Sequence, residues 1–136
     1  MEHFVGTWKL SKVDFDQMKK LFTSMGVPAA AMEGQKEQWA NLKVEVTENG
    51  TMWKYCNAPW GDSTLTFHME QGTFTSVGRS GERTGEFKME GGAVTTELSF
   101  GGDKKIQTTN KITGGNMTNV QTFGEVSVES EFQKCD

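Results

Sequence analysis

Few side chains in this sequence could carry catalytic or metal chemistry, and those few are far apart. The two histidines are His3 and His68, and the two cysteines are Cys56 and Cys135. Zinc sites need histidines and cysteines at short, repeated spacings, which these four residues lack. No serine or cysteine lies in a nucleophile motif either. We therefore expect no enzymatic activity, no catalytic residue, no metal site and no cofactor.

The acidic residues near the C-terminus have the spacing of a solvent-exposed strand face, not that of an acid–base pair. In "EVSVESEFQK", Glu129 and Glu131 alternate with Val128, Ser130 and Phe132. Successive side chains of a strand point to opposite faces, so the carboxylates should share one face. The pattern predicts an outer acidic face and an inner face that carries Ser130.

Length and charge limit the class of protein. The 136 residues suit one domain, and a net charge of −4 gives no support for nucleic-acid binding. No apolar stretch is long enough to span a membrane, and "MEHFVGTWKL" lacks the apolar centre of a secretory signal. We therefore expect a cytoplasmic protein in which Cys56 and Cys135 are reduced thiols.

A helical pattern follows the first strand, "FVGTWKLSK". Apolar residues recur there at helical spacing: Phe15, Met18, Leu21, Phe22 and Met25. Asp14 is a suitable N-cap, and Gly26 is a suitable end. "PAAAMEG" then predicts a short second helix that ends near Gly34. We expect the helix pair to cover residues 14–35, approximately.

Beyond about Leu42 the hydrophobic period changes to 2, which indicates strands. Glycine-rich turns separate them, and Asn49-Gly50 is the strongest hairpin signal. With the first strand, the pattern gives ten antiparallel strands, and closure would remove their exposed edges. The predicted fold class is therefore all-β. We expect residues 1–136 to form a single domain, a ten-stranded up-and-down β-barrel with a helix-turn-helix lid inserted after the first strand.

Polar residues at expected inward positions indicate that the barrel is hollow. By their spacing, we expect four such residues to share the face of apolar neighbours on their strands: Thr96, Gln107, Thr109 and Ser130. Burying an unpaired hydroxyl or amide costs about 1–3 kcal/mol, so a packed core would disfavour so many of them. A cavity that holds water and a ligand tolerates such groups. We therefore expect Thr109 and Ser130 to point into a cavity.

The sequence resembles the intracellular lipid-binding proteins, the family of fatty-acid-binding and cellular retinoid-binding proteins. The resemblance starts at "FVGTWKL" and "DFDQMKKLFTSMGV" and covers essentially the whole chain. The later hairpins match in order: "NGTMWKY", "STLTFHMEQGTF", "MEGGAVTTELSFGGDKK" and "NKITGG". The resemblance implies a calycin barrel that carries one fatty acid, retinoid or related lipid. It also implies a monomeric carrier whose helical lid touches membranes transiently, through basic residues such as Lys19 and Lys20.

The same resemblance implies particular ligand contacts. Trp60, in "NAPWG", falls where the family carries a bulky aromatic residue at the ligand portal. Fatty-acid binders hold the carboxylate with an arginine on strand eight and an Arg-x-Tyr pair on the last strand. Thr109, Ser130 and Phe132 stand in those places here. The cationic anchor for a carboxylate is therefore absent. Phe15, Met18 and Met32 of the helices are further expected contacts.

Three interpretations of the ligand remain open. Its buried end could be uncharged and hydrogen-bond to Gln107, Thr109 and Ser130. It could be a fatty acid whose carboxylate lies near the portal, beside Arg79 or Arg83. Alternatively, the barrel could bind lipid weakly and without specificity. Two other functions also remain open: a stress-protective or regulatory protein built on the same barrel, and a secreted lipocalin-like carrier.

Overall fold

The chain folds into a closed barrel of ten antiparallel strands. The structure, a computed structural model, describes residues 1–58, 61–79, 81–99 and 104–135. The strands are β1 Gly6–Val13, β2 Lys43–Thr47, β3 Met52–Cys56, β4 Ser63–His68, β5 Thr73–Gly78, β6 Gly81–Glu90, β7 Ala93–Ser99, β8 Lys105–Thr113, β9 Asn116–Phe123 and β10 Val126–Cys135. Each pairs with its neighbours in sequence, and β10 also pairs with β1, which closes the ring. The predicted up-and-down barrel is confirmed.

Three short helices lie between β1 and β2: α1 Phe15–Ser24, α2 Ala29–Gly34 and α3 Lys36–Trp39. The Asp14 carboxylate accepts a 3.2 Å hydrogen bond from the Gln17 amide, so the predicted N-cap is confirmed. Gly26 has a φ of 103°, and the Val27 amide donates to the Phe22 carbonyl at 2.9 Å. This left-handed turn ends α1 at the predicted glycine.

The helical segment is longer than the sequence predicted. Helices were expected over residues 14–35, approximately, whereas α3 adds a turn that ends at Trp39. Lys19 of α1 donates to Glu33 of α2 at 2.5 Å, and this hydrogen bond holds the pKa of the Glu33 carboxyl below its usual value. Lys19, one of the two basic residues named above for membrane contact, thus joins α1 to α2. Among the described residues, no helix has the length and apolar character needed to cross a membrane.

The two ends of the barrel differ because the strands alternate in direction. The helices follow β1, so the C-terminal ends of β3, β5, β7 and β9 lie at the same end, called here the helix end. The opposite end, called the far end, carries the short helical turns Glu2–Phe4 and Glu48–Gly50, which lie against each other. Asn49 has a φ of 58° there, which asparagine tolerates in a tight hairpin.

Aromatic side chains pack the far end of the barrel. The ring centroid of Phe4 lies 5.2 Å from that of Trp53, which in turn lies 5.9 Å from that of Phe67. The indole N–H groups of Trp8 and Trp53 donate to the carbonyls of Phe4 and Gly50, each at 2.8 Å. Trp53 and Phe67 also line an internal cavity, so this cluster forms its floor.

Candidate ligand-binding cavity

The barrel encloses a cavity of about 470 Å³, so the predicted hollow interior is confirmed. Sites for small organic molecules generally occupy about 300–1,000 Å³ and are lined mainly by apolar side chains. Much of the cavity wall is apolar, with side chains from α1, from its C-cap residue and from β4 and β5. They include Met18, Phe22, Met25, Leu65, Phe67 and Phe74. This wall suits a hydrocarbon chain or an apolar ring system.

Uncharged polar side chains form a contiguous patch on another part of the cavity wall. The strand register arranges them in two rows across β7 to β10. One row contains Ser130, Asn119 and Asn110, and the other contains Gln121, Thr108 and Thr96. All six line the cavity. This polar patch can offer hydrogen bonds to a ligand, but it offers no charge.

Hydrogen bonding inside the polar patch is incomplete. The side-chain amide of Asn119 donates to the Asn110 side-chain carbonyl at 2.7 Å. By contrast, Ser130 Oγ and Gln121 Oε1 are buried and have no hydrogen-bond partner among the described residues. Leaving such a group unpaired costs about 1–3 kcal/mol, so each of these atoms is suited to accept or donate a bond to a molecule in the cavity.

Two predicted inward residues of β8 lie on the opposite face of the sheet. Gln107 is exposed, and neither Gln107 nor Thr109 lines the cavity. Thr109 Oγ1 instead lies 3.1 Å from Thr95 Oγ1, outside the cavity. The predicted inward face of β8 was wrong by one residue. The segment "IQTTNK" is polar at nearly every position, so it shows no clear alternation of polar and apolar residues. Ile106, Thr108 and Asn110 all face the cavity. Because Ile106 is the apolar residue at the start of β8, its position could have shown that even-numbered residues of this strand face inward.

The helices supply different contacts from those predicted. Met18 is buried and lines the cavity, whereas Phe15 and Met32 do not line it. Met32 of α2 is buried and belongs to the hydrophobic core. The ring of Phe15 lies beneath the Lys36 ammonium, which is 5.3 Å from its centroid. The prediction that both would contact a ligand is not supported by their positions. On the last strand, Ser130 and Phe132 line the cavity as expected.

The only formal charges on the described cavity wall are two arginines. Arg79 follows β5 at the helix end, and Arg83 lies on β6; both are largely exposed. The Arg79 side chain passes close to Gly61, where an added Cβ would lie 2.9 Å from Nε. Neither arginine forms an ion pair with another described residue, and no described Asp or Glu lines the cavity. Trp60, the predicted portal residue, lies outside the described residues.

Among the cavity residues that were not predicted from the sequence are the aromatic residues Phe22, Trp39 and Tyr55. Trp39, on the unpredicted helix α3, lines the cavity, as does Phe22 of α1; their ring centroids are 5.4 Å apart. Tyr55 of β3 is the third, and it is the only tyrosine in the chain. Burial raises the pKa of its phenol to about 12, so the phenol stays neutral at physiological pH. The alternating pattern of "TMWKYCN" placed Tyr55 on the face of Trp53 and could have identified it.

The residues first considered for catalysis lie apart from the cavity. His68 Nε2 lies 2.9 Å from Thr75 Oγ1, and His3 Nε2 lies 2.7 Å from the Gly92 carbonyl oxygen, both at exposed positions. Cys56 and Cys135 are free thiols, and burial raises the pKa of the Cys56 thiol, which disfavours the reactive thiolate. Among the described residues, no group of three histidine, cysteine or acidic side chains could hold a metal ion.

Comparison with known proteins finds similarity of structure without similarity of sequence. No protein-family model matches the chain, and no curated protein matches it either. Among solved structures, lipid binding protein 8 of Caenorhabditis elegans is 16% identical, with a TM-score of 0.78 over 99% of this chain and 97% of its own. Fatty-acid-binding protein 1 of Echinococcus granulosus is 20% identical, with a TM-score of 0.75 and full coverage of both chains.

A third similar structure carries a different description. The fluorescent protein UnaG is 19% identical, with a TM-score of 0.78 over 98% of both chains. At these identities the similarity establishes the fold but not the ligand. The chain therefore has the fold of the fatty-acid-binding proteins, a ten-stranded calycin barrel with short helices after its first strand.

Proposed function

We propose that the protein is a non-enzymatic cytoplasmic carrier that binds one hydrophobic ligand, a fatty acid, retinoid or related lipid, inside the barrel. One observation carries this proposal: a cavity with a largely apolar wall, on which Ser130 Oγ and Gln121 Oε1 have no hydrogen-bond partner in the described part of the chain. A packed core would disfavour buried polar atoms that have no hydrogen-bond partner. The similar solved structures named as lipid-binding and fatty-acid-binding proteins support the same interpretation.

Burial of hydrocarbon supplies the driving force for binding. Each methylene group removed from water contributes about 0.8 kcal/mol, so a long chain against Met18, Phe22 and Phe74 needs no charged anchor. Ser130 and Phe132 provide no cation, and we infer that a carboxylate is not held at this position. Release would require movement at the helix end, where Met18 and Arg79 both line the cavity.

The chemistry of the cavity wall favours binding over catalysis. A hydroxyl nucleophile needs a base within hydrogen-bond reach to remove its proton. The described wall offers hydroxyls, such as Ser130 and Thr108, but neither a histidine nor a carboxylate. We propose that the protein acts as a monomer. Lys20, which is exposed on α1, is the basic residue available for transient contact with a membrane, because Lys19 is bonded to Glu33.

The proposal is tested by identifying what the barrel holds. Protein purified under native conditions would be extracted and its lipids identified by mass spectrometry. Delipidated protein would then be titrated with a fluorescent fatty acid, and unlabelled lipids would be used to displace it. We expect one bound lipid per chain and competitive displacement. The absence of both a co-purified lipid and probe binding would contradict the carrier function and favour a stress-protective or regulatory role.

A further inference from the structure

The cavity has two polar regions, and they lie on opposite walls. Ser130 belongs to β10, whereas Arg79 follows β5, five strands away around the ring of ten. They also differ in depth. Along their strands, Ser130 is four residues inward from Val126 and Gln121 is two residues inward from Phe123, distances of roughly 13 Å and roughly 7 Å from the strand residues at the helix end. Arg79 lies at the helix end itself.

The deep region fits a small uncharged group. Ser130 and Gln121 face inward on adjacent strands as diagonal neighbours, since Ser130 pairs with Asn119 and Gln121 pairs with Val128. Such neighbours are about 7–8 Å apart, so one ligand group between them can reach both. A hydroxyl can donate to Gln121 Oε1 while it accepts from Ser130 Oγ. A carboxylate could not donate, and no described cation is present beside the polar patch to offset its desolvation.

The outer region fits an anion. Arg79 and Arg83 are the only charged residues on the described cavity wall, and neither is neutralised by a described acidic side chain. Guanidinium groups bind carboxylates through paired hydrogen bonds. Both arginines are exposed, so they can hold an anionic group at the mouth without removing it fully from water.

We propose that the ligand is an amphiphile with two polar ends: a carboxylate held at Arg79 and Arg83, and a hydroxyl bound between Ser130 and Gln121. This inference rests on the proposed carrier function and names its ligand class, the hydroxylated long-chain carboxylates. A simple fatty acid would leave the deep polar atoms unpaired. A simple alcohol would satisfy those atoms but would not use the arginines.

The two ends contribute unequally to affinity. A hydrogen bond to a buried group that would otherwise be unpaired changes affinity by about tenfold. An exposed ion pair changes affinity by only a few-fold, roughly, and salt screens it. The hydroxyl should therefore determine which ligand is selected, and the carboxylate should determine its orientation.

The test compares defined lipids on delipidated protein by calorimetric titration. The probes are hexadecanoate, ω-hydroxyhexadecanoate, shorter and longer ω-hydroxy acids, and the diols of matching length. At the best chain length, we expect the hydroxy acid to bind about tenfold more tightly than the plain acid. Its smaller advantage over the diol should shrink as salt is raised.

Matched variants assign each advantage to its residues. Ser130→Ala should lower the ratio between hydroxy acid and plain acid, because only the bond to Gln121 remains, whereas Ser127→Ala, on the outer face of the same strand, should leave the ratio unchanged. Arg83→Gln should reduce the salt-dependent preference over the diol, because only Arg79 then remains beside the carboxylate. Lys88→Gln, an exposed charge change on the same strand but away from the cavity, should not.

The possible failures are distinguishable. If plain acids bind but the hydroxyl gives no advantage at any chain length, the two-ended ligand is overturned and the carrier function stands. If the hydroxyl advantage is undiminished in Ser130→Ala, the placement of the deep site is overturned. If no lipid and no fluorescent fatty acid binds, the carrier function fails, and this inference fails with it.

Discussion

Asn119 donates a 2.7 Å hydrogen bond to the side-chain carbonyl of Asn110, within the barrel wall that faces the cavity. The two residues pair directly across β8 and β9, and they are 8% and 3% exposed respectively. Each amide is thus the partner that allows the other to be buried. The pair also fixes the side-chain orientation of one row of the polar patch, beside Ser130.

Asn119→Ala should destabilise the protein by about 1–3 kcal/mol, because it leaves the Asn110 side-chain carbonyl without its donor. Urea denaturation followed by tryptophan fluorescence would measure the change. Replacing both residues by leucine should recover part of the loss, since no polar atom then remains unpaired. Asn116→Ala is the control: its amide bonds to the Glu131 carboxylate in a less buried position. An equal loss in the control would contradict the interpretation.

Gly85 should be intolerant of any side chain. A Cβ at this position would lie 2.4 Å from the Glu97 carbonyl oxygen and 2.5 Å from Cε1 of Phe74. Gly85→Ala should therefore destabilise the fold by about 1–3 kcal/mol, as measured by urea denaturation. Gly34→Ala is the matched control, because a Cβ at Gly34 meets no atom within 4 Å and the residue ends a helix. That variant should be neutral or slightly stabilised. Equal stability of the two variants would refute the close packing at Gly85.

The fold could be predicted from the sequence because its signals are local and repeated. Asn49, Gly91 and Gly114 mark hairpins whose strands alternate between polar and apolar residues. Ten such strands avoid exposed sheet edges when they close into a barrel. The N-cap of α1 at Asp14 could also be predicted, because capping depends only on residues close together in the sequence. The sequence did not reveal α3, because four residues are too few for a recognisable helical period.

The cavity could be predicted only in part. Ser130 was placed correctly because apolar neighbours on β10 define its face, whereas Gln107 and Thr109 lie in a run of polar residues that hides the register of β8. Pairing between distant parts of the chain then decides which polar atoms remain unbonded. The bond between Asn119 and Asn110, and the lack of a partner for Ser130 Oγ among the residues that the structure describes, could therefore be seen only in the three-dimensional structure.

Ser130→Arg should shift ligand preference toward carboxylates. The new guanidinium would be buried, so the ligand-free variant should be less stable than the wild type. A fatty-acid anion should offset this loss and raise the melting temperature more than the matching alcohol does, because it forms a charge-assisted pair. Thr109→Arg is the control, since Thr109 does not line the cavity. If both variants gain the same preference, the position of the polar patch is wrong.

Tyr55 should make stability depend on alkaline pH. Burial raises its pKa from 10.0 to about 12 in the folded state, so the folded protein holds the phenolic proton more tightly than the unfolded chain does. The associated stability is fully present below pH 10, approximately, and is lost as pH rises toward the folded pKa. The loss should reach about 1 kcal/mol near pH 11.

Tyr55→Phe isolates this effect from the other groups that titrate at alkaline pH. Urea denaturation of the wild type and the variant between pH 8 and pH 11, approximately, should show a steeper decline for the wild type. A cavity ligand should strengthen the contrast if it shields the phenol further from water. Parallel declines would mean that the Tyr55 hydroxyl reaches solvent through the cavity mouth, because an exposed phenol titrates alike in the folded and unfolded states.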